Sequence, residues 1–313
     1  MEKTLAIRPS EDISSIHGRD HEIHGLFPFQ FAQGRSMTAA DAMEIESHSL
    51  SHVGKVRRDN QDAVQLCNPH DEVSTTVGHL YGIADGMGGY AHGGVASSLA
   101  LQTFFETFYA ADGVSPLQKF RVSIQNANLS VYQTAQRMAA GRMGTTLTVV
   151  NIIGKKIYVG HVGDSRAYLI RGNKTRLLTN DHTRVGELVR MHVLSPDKVR
   201  THSQRSILEK CLGLNLFIQP DIFQFPVENG DTILLCTDGI WSVIEDQELA
   251  LLSNEATSAA ELNQRIFDLA MKRDSDDNLS AISLRLHNLG TQKEIDNKKR
   301  SWSLRRLFHR TNE

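Results

Sequence analysis

Two stretches of the chain end an apolar run on the same pair of residues. LYGIADGMGG carries Asp85-Gly86 and DTILLCTDGI carries Asp238-Gly239, each directly after a β-rich segment. Asp-Gly taken singly is a hairpin-turn signal. The surroundings of the first pair point further. Gly86 is followed by Met87, Gly88 and Gly89, and Gly93-Gly94 come soon after, so the backbone there can approach a ligand closely and present its carbonyls. Two more acidic positions complete a set, Asp62 in RRDNQD and Asp277 in DSDDNLS, the latter just ahead of the strand-like Ala281–Leu286. Four carboxylates at chain turns, without thiol or imidazole among them, form an oxygen donor set that suits Mg²⁺ or Mn²⁺ better than zinc or copper. Each aspartate alone reads equally well as the end of a strand or the cap of a helix.

Carboxylates so far apart in sequence need a framework to bring them together. β-rich runs predict strands at Leu80–Ala84, Thr146–Ile153, Lys156–Val162, Arg166–Arg171, Thr232–Cys236 and Ala281–Leu286. From Lys156 onward the pattern is a meander, with tight-turn signals at Gly163-Asp164-Ser165 and Gly172-Asn173. Helical periodicity falls in Gly94–Ala110, Pro116–Ala139, Arg184–His192, Asp246–Ser253 and Ala259–Arg273. Strands joined mainly by hairpins, with helices in separate blocks, imply an α+β fold of antiparallel sheet covered by helices.

Composition narrows the class. The 313 residues are 40% hydrophobic and 22% charged with a net charge of −2, an ordinary globular balance that gives no global reason to bind nucleic acid or an acidic surface. No stretch approaches the roughly 20 apolar residues of a membrane span, and the N-terminus has no apolar core of signal-peptide type. Cys67, Cys211 and Cys236 are widely spaced, with no Cys-x-x-Cys pair, so neither a disulfide framework nor a structural zinc site is expected. These features together imply a cytoplasmic protein. Residues 1–45 carry no period and read as a loosely ordered extension, residues 46–288 as the folded domain that holds these carboxylates, and residues 289–313 as a basic tail. From 290 to 313 that tail has seven Lys/Arg against three Asp/Glu, interleaved with Trp302, Leu304, Leu307 and Phe308. That mixture suits docking to a partner protein or an anionic membrane as well as it suits a solvated end.

The order GKVRRDNQD, ADGMGG, GTTLTVV, HVGDSRAYLIR, DHT, TDGIW and DNLSAI, running from Ser47 to Leu286, resembles the metal-dependent type 2C protein serine/threonine phosphatase family in its bacterial form. The resemblance implies a sandwich of two antiparallel β-sheets flanked by α-helices. It also implies two Mn²⁺ or Mg²⁺ ions in a cleft between the sheets, and phosphorylated proteins as substrates, opposing a serine/threonine kinase. On this chain it makes Asp85 the ligand shared by both ions, joined by the Gly86 carbonyl. Asp238 and Asp277 become ligands of one ion and Asp62 of the other. Arg57 matches the arginine that grips the substrate phosphate with its planar fork, with Arg58 adjacent and able to share that role. The implied chemistry is in-line attack on phosphorus by a metal-bridged hydroxide. Residues Thr183 to Leu208 match the variable flap beside the active site.

Several positions carry plainer readings. Gly163-Asp164-Ser165-Arg166 is assigned structural support, His161 a place in the core, and Cys236 that of an inert core thiol. Some relatives place histidines where this chain has Met87 and Tyr90, with His92 displaced, so no side-chain general acid is assigned. A third ion held by some bacterial relatives is not expected, because no Asp or Glu lies between Asp112 and Asp164, and Gly141 and Arg142 stand near where its ligand belongs. The competing reading is a degenerate, phosphoprotein-binding pseudophosphatase that regulates by docking.

Overall fold

The computed structural model describes residues 44–67, 77–88, 92–138 and 143–289. One sheet orders its strands β1 (Glu44–His52), β11 (Leu279–Asn288), β10 (Thr232–Cys236), β7 (Arg166–Arg171) and β8 (Lys174–Leu177). The other orders β2 (Asp62–Leu66), β3 (His79–Gly88), β5 (Leu147–Ile153), β6 (Lys156–Val162) and β9 (Asp221–Pro226), with β4 (Met143–Thr145) pairing the far end of β3. Every pairing is antiparallel. The helices are α1 (His92–Ala110), α2 (Pro116–Arg137), α3 (Arg184–Arg190), α4 (Asp238–Trp241), α5 (Asp246–Glu255) and α6 (Ala259–Lys272).

The layering follows from side-chain alternation. β10, TILLC, is buried along its whole length because both of its faces are covered. Ile233 and Leu235 belong to the core shared with Val149, Ile282 and Leu284, whereas Leu234 and Cys236 pack with Ile240, Trp241, Leu262 and Ile266 of α4 and α6. The six-stranded sheet is covered by α1 and α2, whose Phe104, Phe108 and Phe120 rings lie 5.3–5.8 Å apart between centroids. Each such fully buried ring stabilises the fold by roughly 1.5–3 kcal/mol. Contact with the sheet is close: a Cβ on Gly160 would stand 2.4 Å from Phe120. Here a side chain would push α2 off β6.

The helices begin where capping chemistry allows. Ser115 accepts a hydrogen bond from the Gln118 amide ahead of Pro116, Thr183 from Gly186, and Ser258 from Glu261. The third helix stops at Arg190 rather than at His192, because His192 adopts a positive φ of 57°. The sandwich of two antiparallel sheets flanked by helices is the architecture expected from the sequence. Among the described residues no helix is long and apolar enough to cross a membrane. The extension before residue 44, the tail after 289, Tyr90, Gly141 and Arg142 lie outside the described residues.

Candidate functional site

Antiparallel pairing puts the end of one strand beside the start of its neighbour, and that rule assembles the site. In the first sheet the end of β10 faces the start of β11, with Thr237 and Ser280 joined by a 3.1 Å backbone hydrogen bond. Asp238 therefore follows one strand and Asp277 precedes the other at the same edge. In the second sheet Asp62 opens β2 directly opposite Asp85 near the end of β3. At Asp85 the β3 strand changes partners, from β5, which pairs up to Ile83, to β4, which pairs from Gly86. The Thr145–Thr146 step spans that change. Thr146 accepts the Asp85 N–H on its hydroxyl at 2.8 Å, and the Asp85 carbonyl accepts from the Thr146 amide at 2.8 Å and the Thr145 hydroxyl at 2.9 Å. The aspartate backbone is clamped while its carboxylate stays available.

The two sheets are also tied together across the site. Thr237 Oγ1 donates to Asp62 Oδ2 at 2.9 Å. The Asn278 side chain accepts from the Gln61 amide and donates to the carbonyls of Val53 and Asp59, pinning the loop that bears Arg57. Gly86 donates its N–H to the Gln61 carbonyl at 3.1 Å, and a Cβ on Gly86 would meet the Gly93 carbonyl oxygen at 2.0 Å. The glycine-rich stretch thus permits three backbone segments to meet at one point.

These residues line a cleft of about 440 Å³, with Asp85, Gly86, Asp238 and Asp277 on its surface and Arg57 and Arg58 at one rim. Ser206 and Leu208 of the expected flap form another part of its wall, and that flap is closed at its base by a bridge between Thr183 and Leu208. The electrostatics are those of an unbalanced anionic site. Burial raises the Asp62 carboxyl to about 7, against hydrogen bonds from Ser280 and Thr237 and with the charges of Asp238 and Asp277 adding to it. Burial and then the Asp277 charge raise Asp238 to about 6. Asp85 is pushed well above the usual carboxylate range by burial and by the charges of Asp62, Asp238 and Asp164. Oδ1 of Asp238 is buried without a hydrogen-bond partner. Arg57 donates to Asp277 Oδ2 at 2.6 Å and supplies part of the missing positive charge.

Buried carboxylates that raise one another's pKa, an orphaned buried oxygen and a nearby backbone carbonyl fit hard divalent cations. Among the described residues no three His, Cys, Asp or Glu side chains already converge on one point.

Of the expected site residues, Arg57, Asp85, Gly86, Asp238 and Asp277 line the cleft, whereas Asp62 is not among its lining residues and stands beside them, opposite Asp85 and bonded to Thr237. Asp164 joins them, although the sequence reading assigned its segment to support. Gly163 takes a φ of +111°, where a Cβ would stand 2.5 Å from Thr146, and the turn directs the buried Asp164 onto the cleft wall. Burial and the charge of Asp238 raise its carboxyl far above the ordinary range. The sequence signal was present in the glycine before it, but a tight turn accounted for the same residues. Gln61, Met87, Ser206 and Leu208 also line the cleft without having been singled out as site residues. His92 opens α1 and is not among the lining residues. His161 is fully buried between Thr148 and the Asn180 carbonyl, with its imidazole pushed down to about 3 by burial. Cys236 is also fully buried and its thiol is pushed up to about 12. Both behave as the core residues expected.

A family model described as protein phosphatase 2C matches residues 51–282. Protein phosphatase PhpP of Streptococcus pneumoniae is 34% identical over 208 residues, covering 66% of this chain and 82% of its own. Among solved structures, the serine/threonine phosphatase of S. agalactiae superimposes with a TM-score of 0.71 at 28% identity, over 78% of this chain and 100% of that one. The catalytic domain of the serine threonine protein phosphatase PstP, solved in complex with 2 manganese ions, gives a TM-score of 0.67 at 26% identity, over 78% and 99% of the two chains.

Proposed function

This chain belongs to the protein phosphatase 2C family and is a protein serine/threonine phosphatase, and from that premise we propose how its own residues perform the hydrolysis. Asp85 and the Gly86 carbonyl, with Asp62, Asp238 and Asp277, hold two divalent cations, Mn²⁺ or Mg²⁺. The observation that carries this reading is the excess of negative charge in the cleft. Asp62, Asp85 and Asp238 are raised by burial and by one another, and Asp238 Oδ1 faces no donor. When bound, such cations supply Lewis-acid charge to phosphoryl oxygens and acidify a water molecule so that a nucleophile is available near neutral pH.

The protein side of the reaction follows from positions on the cleft. Arg57, paired with Asp277 here, would offer its fork to two phosphate oxygens once that carboxylate served a cation; a lysine would offer only a point charge. Arg58, at the same rim, stands ready to share that load. The clamped Asp85 backbone and the Asn278 tether keep carboxylates and arginine in fixed register, so that little reorganisation is needed as charge builds on the equatorial oxygens. Displacement is in line, with the serine or threonine oxygen leaving opposite the attacking water. No nucleophilic side chain takes part, since Cys236 is buried and held as a thiol.

Phosphorylated proteins are the substrates, placing the enzyme opposite a serine/threonine kinase. The flap residues Ser206 and Leu208 on the cleft wall contribute to their selection. We further propose that the basic segment 289–313 docks the enzyme to a partner or an anionic surface. The presence of all four carboxylates in the sequence supports an enzyme over a docking-only module. Release of phosphate from a phosphothreonine peptide and from p-nitrophenyl phosphate, each with and without Mn²⁺, tests the reading. Metal-dependent turnover of the peptide is expected. Turnover of the small ester alone would point to a different phosphoesterase.

A further inference from the structure

Trp241 occupies an unusual junction. It ends the four-residue helix α4, which starts at Asp238, and its side chain is almost wholly buried. Its indole N–H donates at 2.9 Å to the carbonyl of Asp164, which also lines the cleft. Over its ring face, at 3.8 Å, lies the guanidinium of Arg166. That guanidinium is fixed by a two-pronged pair with Asp181, at 3.0 and 2.7 Å, and by donation to Tyr168 Oη at 3.0 Å. The Trp241 backbone carbonyl accepts from Arg200 of the flap at 2.8 Å, and Arg200 also bonds the Ile244 carbonyl and Asp246 Oδ1.

One residue therefore touches three things: the turn holding Asp164, the buried Arg166–Asp181 pair, and the flap. It does so from the same helical turn that carries Asp238. A helix of one turn has few backbone bonds of its own, so its carbonyls take outside donors, Ser275 Oγ on Gly239 and Arg200 on Trp241. The direction of the Asp238 carboxylate is then set by the groups that fix that turn, Ser275 and Ser280 at its near end and the partners of Trp241 at its far end. A buried indole N–H takes an acceptor in any fold; here the acceptor is the Asp164 carbonyl and the Trp241 carbonyl is taken by Arg200, so the turn is joined to the cleft wall on one side and to the flap on the other.

We propose that Trp241 is a positioning residue for the cation site, and that with Arg200 it links the seating of the flap to the affinity of Asp238 for metal. The proposal rests on Asp238 being a metal ligand. A flap seated through Arg200 holds α4 in place and keeps Asp238 and Asp164 facing one another; a flap released from Arg200 loosens that turn and weakens the site. Substrate contact with the flap and cation binding in the cleft would then favour one another through contiguous bonded groups.

The test is calorimetric titration of Mn²⁺ into the chelator-stripped full-length protein, without substrate. Trp241→Phe keeps an aromatic ring beside Arg166 and removes the indole N–H together with the second ring of the indole, so its melting temperature is read beside its metal affinity, while Arg200→Gln removes the flap's bonds to α4 and leaves the indole in place. Outer-shell partners of metal ligands typically cost 10- to 100-fold in affinity when lost, and we expect Mn²⁺ binding about tenfold weaker in each variant. Activity lost at low Mn²⁺ should return as the metal is raised, and the KM for a phosphopeptide at saturating metal should change less than the metal affinity does. Circular dichroism shows whether each variant is folded. A folded Trp241→Phe or Arg200→Gln protein that binds Mn²⁺ as tightly as the wild type overturns the link, as does a lowered melting temperature with unchanged metal affinity, which is the signature of packing alone. A wild-type protein that binds no Mn²⁺ at all would instead sink the assignment of the site, so the two failures are separable.

Discussion

Replacing Asp238 by Asn should move stability and metal binding in opposite directions. In the metal-free protein the Asp238 carboxyl is raised from 3.8 to about 6, chiefly by burial and then by the Asp277 charge. A raised carboxyl means that the folded state binds a proton more tightly than the unfolded state, so between about pH 4 and 6 the folded protein holds more protons and loses stability as pH rises. Above about pH 6 the ionised group carries the full cost. At about 1.4 kcal/mol per unit of pKa, two units amount to about 3 kcal/mol, of which Asp238→Asn should return a part. For a domain of this size 1 kcal/mol corresponds to roughly 2–4 °C in melting temperature, so the variant in chelator at pH 8 should melt several degrees higher than the wild type. Near pH 3.5 the difference should become small, because the wild-type carboxyl is then protonated in the folded state and mostly protonated in the unfolded one. On adding Mn²⁺ the order should reverse, with the wild type gaining stability by mass action and the variant gaining little. Differential scanning calorimetry at pH 3.5, 5 and 8, with EDTA and with Mn²⁺, gives all of these values. An Asn variant less stable than the wild type in EDTA at pH 8, or one stabilised equally by Mn²⁺, would refute the reasoning.

Other expectations follow from the same site. Arg57→Lys should lower kcat/KM for a phosphopeptide by roughly tenfold or more through loss of the two-pronged phosphate contact, while calorimetric Mn²⁺ binding persists. Because the Cys236 thiol is buried and pushed up to about 12, iodoacetamide at neutral pH should leave it unlabelled in the native protein, as read by mass spectrometry, and should not affect activity at that site. Gly141→Asp should add a weak Mn²⁺ site and raise activity at saturating metal, measured by titration and initial rates; no additional binding would remove the case for a third-ion position there. Truncation after Leu289 should leave hydrolysis of p-nitrophenyl phosphate intact while changing localisation or partner recovery, and unchanged localisation and recovery would count against tail docking.

The chemistry was easier to read in the sequence than the frame that holds it. Asp85 and Asp238 declare themselves because each ends a strongly apolar run, and the buried strands β3 and β10 have the composition that such burial demands. β1 was missed. Its sequence EIESHSLSH mixes histidine, serine and glutamate, since it is an edge strand whose residues are largely half-buried. β2 and β9 escaped for the same reason, being half-exposed edges of the other sheet. The pairing that sets Asp62 opposite Asp85 depends on β2, so their adjacency is a product of register that local pattern does not contain. Asp164 shows the converse limit. Its segment was seen, but a turn signal accounts for Gly163-Asp164 just as well whether the side chain faces solvent or a cleft. Only the sandwich, which folds that turn against Thr146 and Trp241, decides between them.

The central claim is that this cleft is a cation-dependent phosphatase centre built on Asp85. Its most direct test follows phosphate release from a phosphothreonine peptide as Mn²⁺ is titrated into chelator-stripped wild-type and Asp85→Asn proteins, both shown to be folded. The account predicts no turnover in chelator, saturable activation of the wild type by Mn²⁺, and an Asp85→Asn protein whose rate stays near background at any metal concentration. Turnover by the wild type in excess chelator, or near-normal Mn²⁺-dependent turnover by Asp85→Asn, would contradict it.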